Sequence, residues 1–208
     1  MTRTVRRGSP AAYERAVREG EGYYRGLREN GQYGAVASAS EFVEVKMIEF
    51  KKMSEAEFSQ FWAYSVSEYA KDLMNGENLD RETALKNAGR EFGEMLTDGP
   101  DTEDHFVMAI WDAQSGKEVG WIWYCYETDE DDMQQVFLCD FLIFEDDRRK
   151  GYASAALAEM ERRAKADGCA AAALFAWDHN GPGAALYRKC GYAPEERDVG
   201  GVRMKKML

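Results

Sequence analysis

From residue 42 onward the hydrophobic period of the chain switches repeatedly between that of a strand and that of a helix. Phe42-Val43-Glu44-Val45-Lys46-Met47-Ile48 alternates at period two and predicts a strand. Ser54-x-x-Glu57 has the form of a capping box, and Phe58, Phe61, Trp62, Val66, Tyr69 and Leu73 then recur on one helical face. Asp80 is placed to cap a second helix with Leu85, Ala88, Phe92 and Met95 along one side, which Thr97-Asp98-Gly99-Pro100 ends. Phe106 to Trp111 and Val119 to Tyr126 read as strands joined by a turn around Ser115-Gly116. The apolar run from Val136 to Phe144 lacks strict alternation, which predicts a strand covered on both faces. A helix follows from Ser154 to Lys165 and ends near Gly168. Ala170 to Trp177 is alanine-rich, but the turn residues on either side favour a short buried strand. Ala184 to Cys190 forms another helix, and Gly200-Gly201 is a hairpin turn between the last two strands. The order β-α-α-β-β-β-α-β-α-β-β predicts an α/β (α+β) fold, a mixed central sheet with helices on its faces.

Residues 1–40 do not share this pattern. Tyr13, Ala16, Val17, Tyr23, Tyr24 and Leu27 have helical spacing, but Gly20, Gly22 and Gly26 interrupt them, each costing about 1 kcal/mol relative to alanine. The segment is expected to be an appended arm, part helix and part mobile, ahead of one domain over 41–208. It carries seven arginines against four glutamates, a net +3, which leaves 20 bases against 34 acids, a net −14, for residues 41–208. A surface of that sign repels nucleic acid and anionic membrane and favours cationic partners. No apolar run is long enough to cross a bilayer, and no apolar stretch follows the basic start, so neither a membrane span nor a secretory signal is expected. The four cysteines, at 125, 139, 169 and 190, make no CxxC pair and stand with only two histidines. They predict reduced thiols in a cytoplasmic protein and no metal site.

Against that acidic background, Arg148-Arg149-Lys150-Gly151-Tyr152-Ala153-Ser154 stands out, because three consecutive cations lead from a buried strand into a helix. A helix start offers unpaired N–H groups and about +0.5 of an elementary charge. Gly151 and Ala153 let a phosphate oxygen come close to those amides. The arrangement describes a pyrophosphate cradle; the bland alternative is a basic turn that balances Glu145, Asp146 and Asp147. Neither G-x-x-x-x-G-K-[ST] nor G-x-G-x-x-G occurs, which disfavours nucleoside triphosphates and dinucleotides.

Arg148-x-x-Gly151-x-Ala153 resembles the [QR]-x-x-G-x-[GA] signature of the GNAT superfamily of N-acetyltransferases, at the expected strand–turn–helix junction. About 30 residues on, Asn180-x-x-Gly183-x-x-Leu186-Tyr187-x-x-x-Gly191-Tyr192 is similar to the family's second block, and Met204-x-Lys206-x-Leu208 to its closing strand. Gly183 departs from the usual alanine, which is expected to leave packing unharmed at some cost in helix stability. Glu145 departs from a frequent proline.

The resemblance implies a GNAT-type sheet with acetyl-coenzyme A between the strand ending near Phe144 and the one ending near Trp177. The amides of Arg149, Lys150, Gly151, Tyr152, Ala153 and Ser154, with the Arg148 side chain, would hold the pyrophosphate. Backbone groups of Phe141, Leu142 and Ile143 would pair with the pantetheine arm, one N–H pointing at the thioester oxygen. Asn180 would hydrogen-bond the cofactor. Tyr187 would give a proton to the departing thiolate, whose free pKa is about 8.5; the bland reading is a helix residue packed on the sheet. Asp140 is the nearest candidate base for the amine, with Glu118, Glu127 and Glu44 as rivals. Cys139 reads as a buried thiol with no histidine near it in sequence, His179 as a loop residue, and His105 as a residue without a partner. Trp121, Trp123, Tyr124 and Tyr126 are expected to be mostly core, those facing away from it lining the acceptor pocket. The acidic run 127–132 reads as a solvated loop that could steer a polycation.

The function implied is transfer of an acetyl group to a primary amine of a small cationic molecule, polyamine- or aminoglycoside-like, by direct attack. The alternatives are a protein N-terminal or lysine acetyltransferase, which needs an open peptide groove, and a non-catalytic acyl-coenzyme A-binding module. A homodimer is left open.

Overall fold

The computed structural model of the protein describes residues 46–129 and 132–208. The expected arm over 1–40, the residues Phe42 to Val45 of the expected first strand, and the rival base Glu44 lie outside them. Strand β1 spans Ile48–Lys52, later than the period-two run suggests, since Lys46 and Met47 precede the sheet. Helices α1 (Glu55–Glu77) and α2 (Arg81–Met95) come next, then β2 (His105–Asp112), β3 (Lys117–Thr128) and β4 (Gln134–Ile143). Helix α3 (Tyr152–Ala166), β5 (Ala171–Trp177), α4 (Gly181–Lys189), β6 (Ala193–Asp198) and β7 (Gly201–Met207) complete the order. The element order is the one read from the sequence.

The strands form one sheet in the order β1-β2-β3-β4-β5-β7-β6, antiparallel except where β4 meets β5. That parallel pair is the crossover that α3 makes possible. Gly201 is the first residue of β7 rather than part of the turn, which Val199 and Gly200 make.

Both faces are covered, as the apolar run of β4 requires. On one face Ile110, Ile122 and Leu174 of the sheet pack with Leu157 and Met160 of α3. On the other, Phe61 of α1 and Phe92 of α2 pack with Trp121 and Trp123. The capping box closes as expected: Ser54 Oγ accepts from the Glu57 amide, and the Glu57 carboxylate accepts from the Ser54 amide. Asp80 accepts from the amides of Glu82 and Thr83 to start α2. The apolar side of α2 is rotated from the expected one, with Ala84, Ala88 and Phe92 buried and Leu85 and Met95 partly exposed.

Phe61 is fully buried and meets the rings of Trp121 and Trp123 edge-on, with centroids 6.0 and 6.2 Å away. Phe61→Ala is therefore expected to cost about 3–5 kcal/mol by transfer and cavity terms together. Denaturant unfolding would measure it, and a loss under about 1 kcal/mol would mean that α1 settles into the space instead.

Candidate active site

The register of β4 creates the site. Its pairing with β5 runs from Gln135↔Ala171 to Leu138↔Leu174 and stops there, although β4 continues to Ile143 and β5 to Trp177. Beyond Leu138 the two strands part, and the edge of β4 that faced β5 is left without a strand partner. The cause sits on the β3 side. Trp123 opposes Asp140 while the next residue, Tyr124, opposes Leu138, so Cys139 is an extra residue in a bulge. A bulge bends its strand and sharpens the local twist. It also upsets side-chain alternation: Cys139 packs with the core on the α1 face, and Asp140, the very next residue, reaches Ser65 of α1. Strand alternation would have separated them.

A cavity of about 1600 Å³ fills the gap. Phe141, Leu142 and Ile143 form part of its wall, together with Arg148, Arg149, Gly151, Tyr152, Ala153 and Ser154 at the start of α3. Ser54, Asp80 and Asn180 cap the starts of α1, α2 and α4 through their side chains, whereas no side chain caps α3. Its first turn is thus left with backbone donors facing an open volume, which is the chemistry a diphosphate needs. Arg149 and Gly151 have φ of 63° and 91°, left-handed values of the kind that anion-binding turns use.

The three cations divide. Arg148 borders the cavity, but its Nε donates to the Ile143 carbonyl at 3.0 Å, tying the loop back to the end of β4. Lys150 does not border it; its Nζ pairs at 3.0 Å with buried Asp147, which Lys117 also holds. For Lys150 the bland reading of a balanced basic turn is therefore the right one for the side chain. The Tyr152 hydroxyl donates to Asp112 at 2.8 Å and anchors the loop in the core.

Asn180 is the N-cap of α4, its Oδ1 accepting from the Gly183 amide at 3.0 Å. A Cβ at Gly183 would stand 2.7 Å from Asn180 Nδ2. The expectation that packing is indifferent to the glycine is corrected here: an alanine would push the Asn180 side-chain amide out of this cap conformation. Tyr187 is half-buried in the cavity wall and stacks edge-on with Tyr192 at 6.1 Å. Burial first, then the Asp140 and Cys190 charges, push its phenol up to about 12. Asp140 Oδ2 accepts from Ser65 Oγ at 2.5 Å and from Trp121 Nε1 at 3.2 Å. Burial raises its carboxyl above the usual range, and these donors counter the rise in part. Asp140 and Tyr187 both border the cavity, and the Asp140 charge contributes to the rise at Tyr187.

The rivals lie elsewhere. Glu118 does not border the cavity, and Glu127 is held by Gln135 and Arg203. Asp129 pairs with Lys205, so Glu127 and Asp129, from the described part of the acidic run, are tied to residues of β4 and β7. Cys139 borders the cavity, with burial and the Cys125 thiol raising its own thiol well above normal, which suits a neutral packed group and not a nucleophile.

Sequence reasoning missed the opposite wall. Tyr64, Glu68 and Asp72 of α1, Glu91 of α2, and His179 after β5 all border the cavity. Asp72 Oδ1 and His179 Nε2 are 2.7 Å apart, and Trp177 stacks on His179. Burial raises the Asp72 carboxyl, with the His179 contact opposing. The available signal was helical: Glu68 and Asp72 are four apart on α1, one turn beyond Tyr64.

This architecture has known counterparts. The sequence model of the acetyltransferase (GNAT) family matches residues 66–192. The chain is 30% identical over 156 residues to YdgE, an uncharacterized N-acetyltransferase of Bacillus subtilis, covering 75% of this chain and 95% of that one. The crystal structure of YycN, also from Bacillus subtilis, superposes with a TM-score of 0.65 at 29% identity, covering 74% of this chain and 95% of that one. A spermidine N-acetyltransferase from Vibrio cholerae, solved with CoA and spermine, gives a TM-score of 0.52 at 12% identity over 77% of this chain and 95% of that one, a likeness of fold alone. With its parted β4 and β5, its uncapped α3 and both sequence blocks, the chain belongs to the GNAT family of N-acetyltransferases.

Proposed function

We propose that this enzyme moves the acetyl group of acetyl-coenzyme A onto a primary amine of a small polycation, polyamine- or aminoglycoside-like. The single observation that carries the reading is the polarity of the cavity. One wall is the donor-rich start of α3; the other, from helices on the opposite face of the sheet, carries Glu68, Asp72, Glu77 and Glu91. Backbone N–H groups at one wall suit a diphosphate, and carboxylates with the Tyr69 and Trp177 rings at the other suit spaced ammonium groups. Helices α1 and α2 themselves form the second wall, which favours a small acceptor over a peptide lying in an open groove. The spermidine enzyme of the same fold accords with this reading, though the carboxylates support it and the distant likeness does not. Free thiols at 125, 139, 169 and 190 suit a reducing cytoplasm.

In this reading the amides of Gly151 to Ser154 hold the diphosphate, and the free edge of Phe141 to Ile143 aligns the pantetheine. Asp140, directly or through water, takes the proton that an ammonium of pKa about 10 must lose before it attacks. Tyr187 returns a proton to the sulfur as it leaves.

The test is thiol release from acetyl-coenzyme A with polyamines, aminoglycosides, amino acids and peptides as acceptors. Turnover is expected with polyamines or aminoglycosides and to fall steeply with salt, because long-range attraction is screened. Turnover confined to peptides would move the acceptor class to proteins, and cofactor binding without turnover on any amine would point to a binding module.

A further inference from the structure

The sheet register assembles a second cluster that the sequence spacing hides. His105 on β2 stands directly opposite Cys125 on β3, and the bulge turns Cys139 of β4 onto the same face. One ring nitrogen of His105 and the two sulfurs lie within 4.8 Å of one another, with Cys125 Sγ and Cys139 Sγ 3.6 Å apart. Three strands thus deliver three donors to one point, one step along the chain from Asp140.

We propose that His105, Cys125 and Cys139 form a three-ligand site for a thiophilic divalent ion of the zinc class, which clamps β2, β3 and β4 at the bulge. The spacing agrees with such a centre. Two thiolates bound at about 2.3 Å in a tetrahedron lie roughly 3.8 Å apart, within a few tenths of an ångström of the observed separation. The donor set selects the ion: sulfur with imidazole suits zinc and excludes magnesium and calcium, which take oxygen. Charge balances too, since two thiolates neutralise a dication, so the filled centre adds no net charge to a largely buried place. Binding releases both thiol protons to solvent. Cys139 and Trp123 border the active-site cavity, which provides an entry path and room for water as a fourth ligand. Trp123 Nε1 donates to His105 Nδ1 at 3.0 Å, so that nitrogen is the acceptor of the ring, and an ion bound there takes the place of the tryptophan N–H.

The experiment uses the full chain, reduced and stripped with a chelator, then titrated with Co²⁺ or Zn²⁺ alone. The expected result is one ion per chain after desalting, a sulfur-to-cobalt charge-transfer band with tetrahedral d–d bands, and a rise in Tm with Zn²⁺. Cys139→Ser and Cys125→Ser should each abolish stable uptake and with it the charge-transfer signature, His105→Ala should weaken binding at least about tenfold, and Cys190→Ser should leave the spectrum unchanged. Circular dichroism of each variant separates lost ligation from lost folding, and Cys139→Ala supplies a second probe should Cys125→Ser not fold. Uptake that survives Cys139→Ser, absence of a thiolate band in folded wild type, or a Cys125–Cys139 disulfide that forms under the reducing conditions in place of uptake would each overturn the proposal.

Discussion

Tyr187→Phe is expected to lower kcat roughly 100- to 1000-fold, the usual worth of a positioned general acid, while the affinity for acetyl-coenzyme A changes little. The ring survives the substitution, so its edge-on contact with Tyr192 at 6.1 Å and its place in the α4 packing are kept, and only the hydroxyl is lost. Its phenol, pushed up to about 12 by burial and then by Asp140, stays protonated throughout the neutral range and remains available as a donor. A direct consequence is the shape of the pH profile. An acid must be protonated to act, so Tyr187 produces no falling limb in the neutral range. A base must be ionised, so Asp140 produces a rising limb, displaced upward from the ordinary carboxylate range because burial raises its pKa. Steady-state kinetics at saturating acceptor, with calorimetry for the cofactor, check both. An unchanged kcat removes Tyr187 from the chemistry, and a parallel loss of cofactor affinity makes it a packing residue.

The contrast between Tyr187 and Asp140 shows what the sequence discloses. Tyr187 was legible because it sits in a spaced block whose helix, turn and closing strand all leave local marks. The strand–turn–helix junction at Arg148 to Ser154 was legible for the same reason: strand, cations, glycine and helix follow one another within a dozen residues, and adjacent structure is what periodicity and turn chemistry report. Asp140 could be found but not interpreted. Whether it faced solvent or the core depended on alternation along β4, and the spare residue in the bulge at Cys139 breaks that alternation. Inside a continuous apolar run a spare residue has no local signature, because its geometry comes from the neighbouring strand.

The acceptor wall was harder still. Asp72 and His179 are 107 positions apart and meet only because α1 lies over the end of β5. Ser65 at the back of Asp140 had a faint signal, a hydroxyl four residues beyond Phe61 and four before Tyr69 on the buried face of α1. The thiol and imidazole cluster shows the limit most sharply. Absence of CxxC excludes metal sites built from one turn, but a sheet can collect one donor from each of three strands, and register is invisible without partners.

Gly151→Val tests the cradle on which the cofactor reading rests, and it is expected to weaken acetyl-coenzyme A binding about tenfold to 100-fold, the loss of one or two hydrogen bonds to a charged group. The glycine has φ of 91°, which a β-branched residue adopts only with strain, so the backbone at the start of α3 is expected to shift. Space inside the protein is not the obstacle, because the nearest heavy atom to a Cβ there is Lys46 Cγ at an ordinary 3.5 Å. The fold is therefore expected to persist, with a loss of about 1–3 kcal/mol in stability from the strained position. The discriminating control is S-acetylpantetheine, which presents the same thioester without a diphosphate. Wild type should use it poorly, and Gly151→Val should use it as well as wild type does, since the damaged contacts are absent from both reactions. Wild-type affinity for acetyl-coenzyme A in the variant would place the diphosphate away from α3. An equal penalty on S-acetylpantetheine would show that the substitution spreads into β4 and the thioester site, in which case the loop and the catalytic strand move as one unit through the Arg148 tie to Ile143.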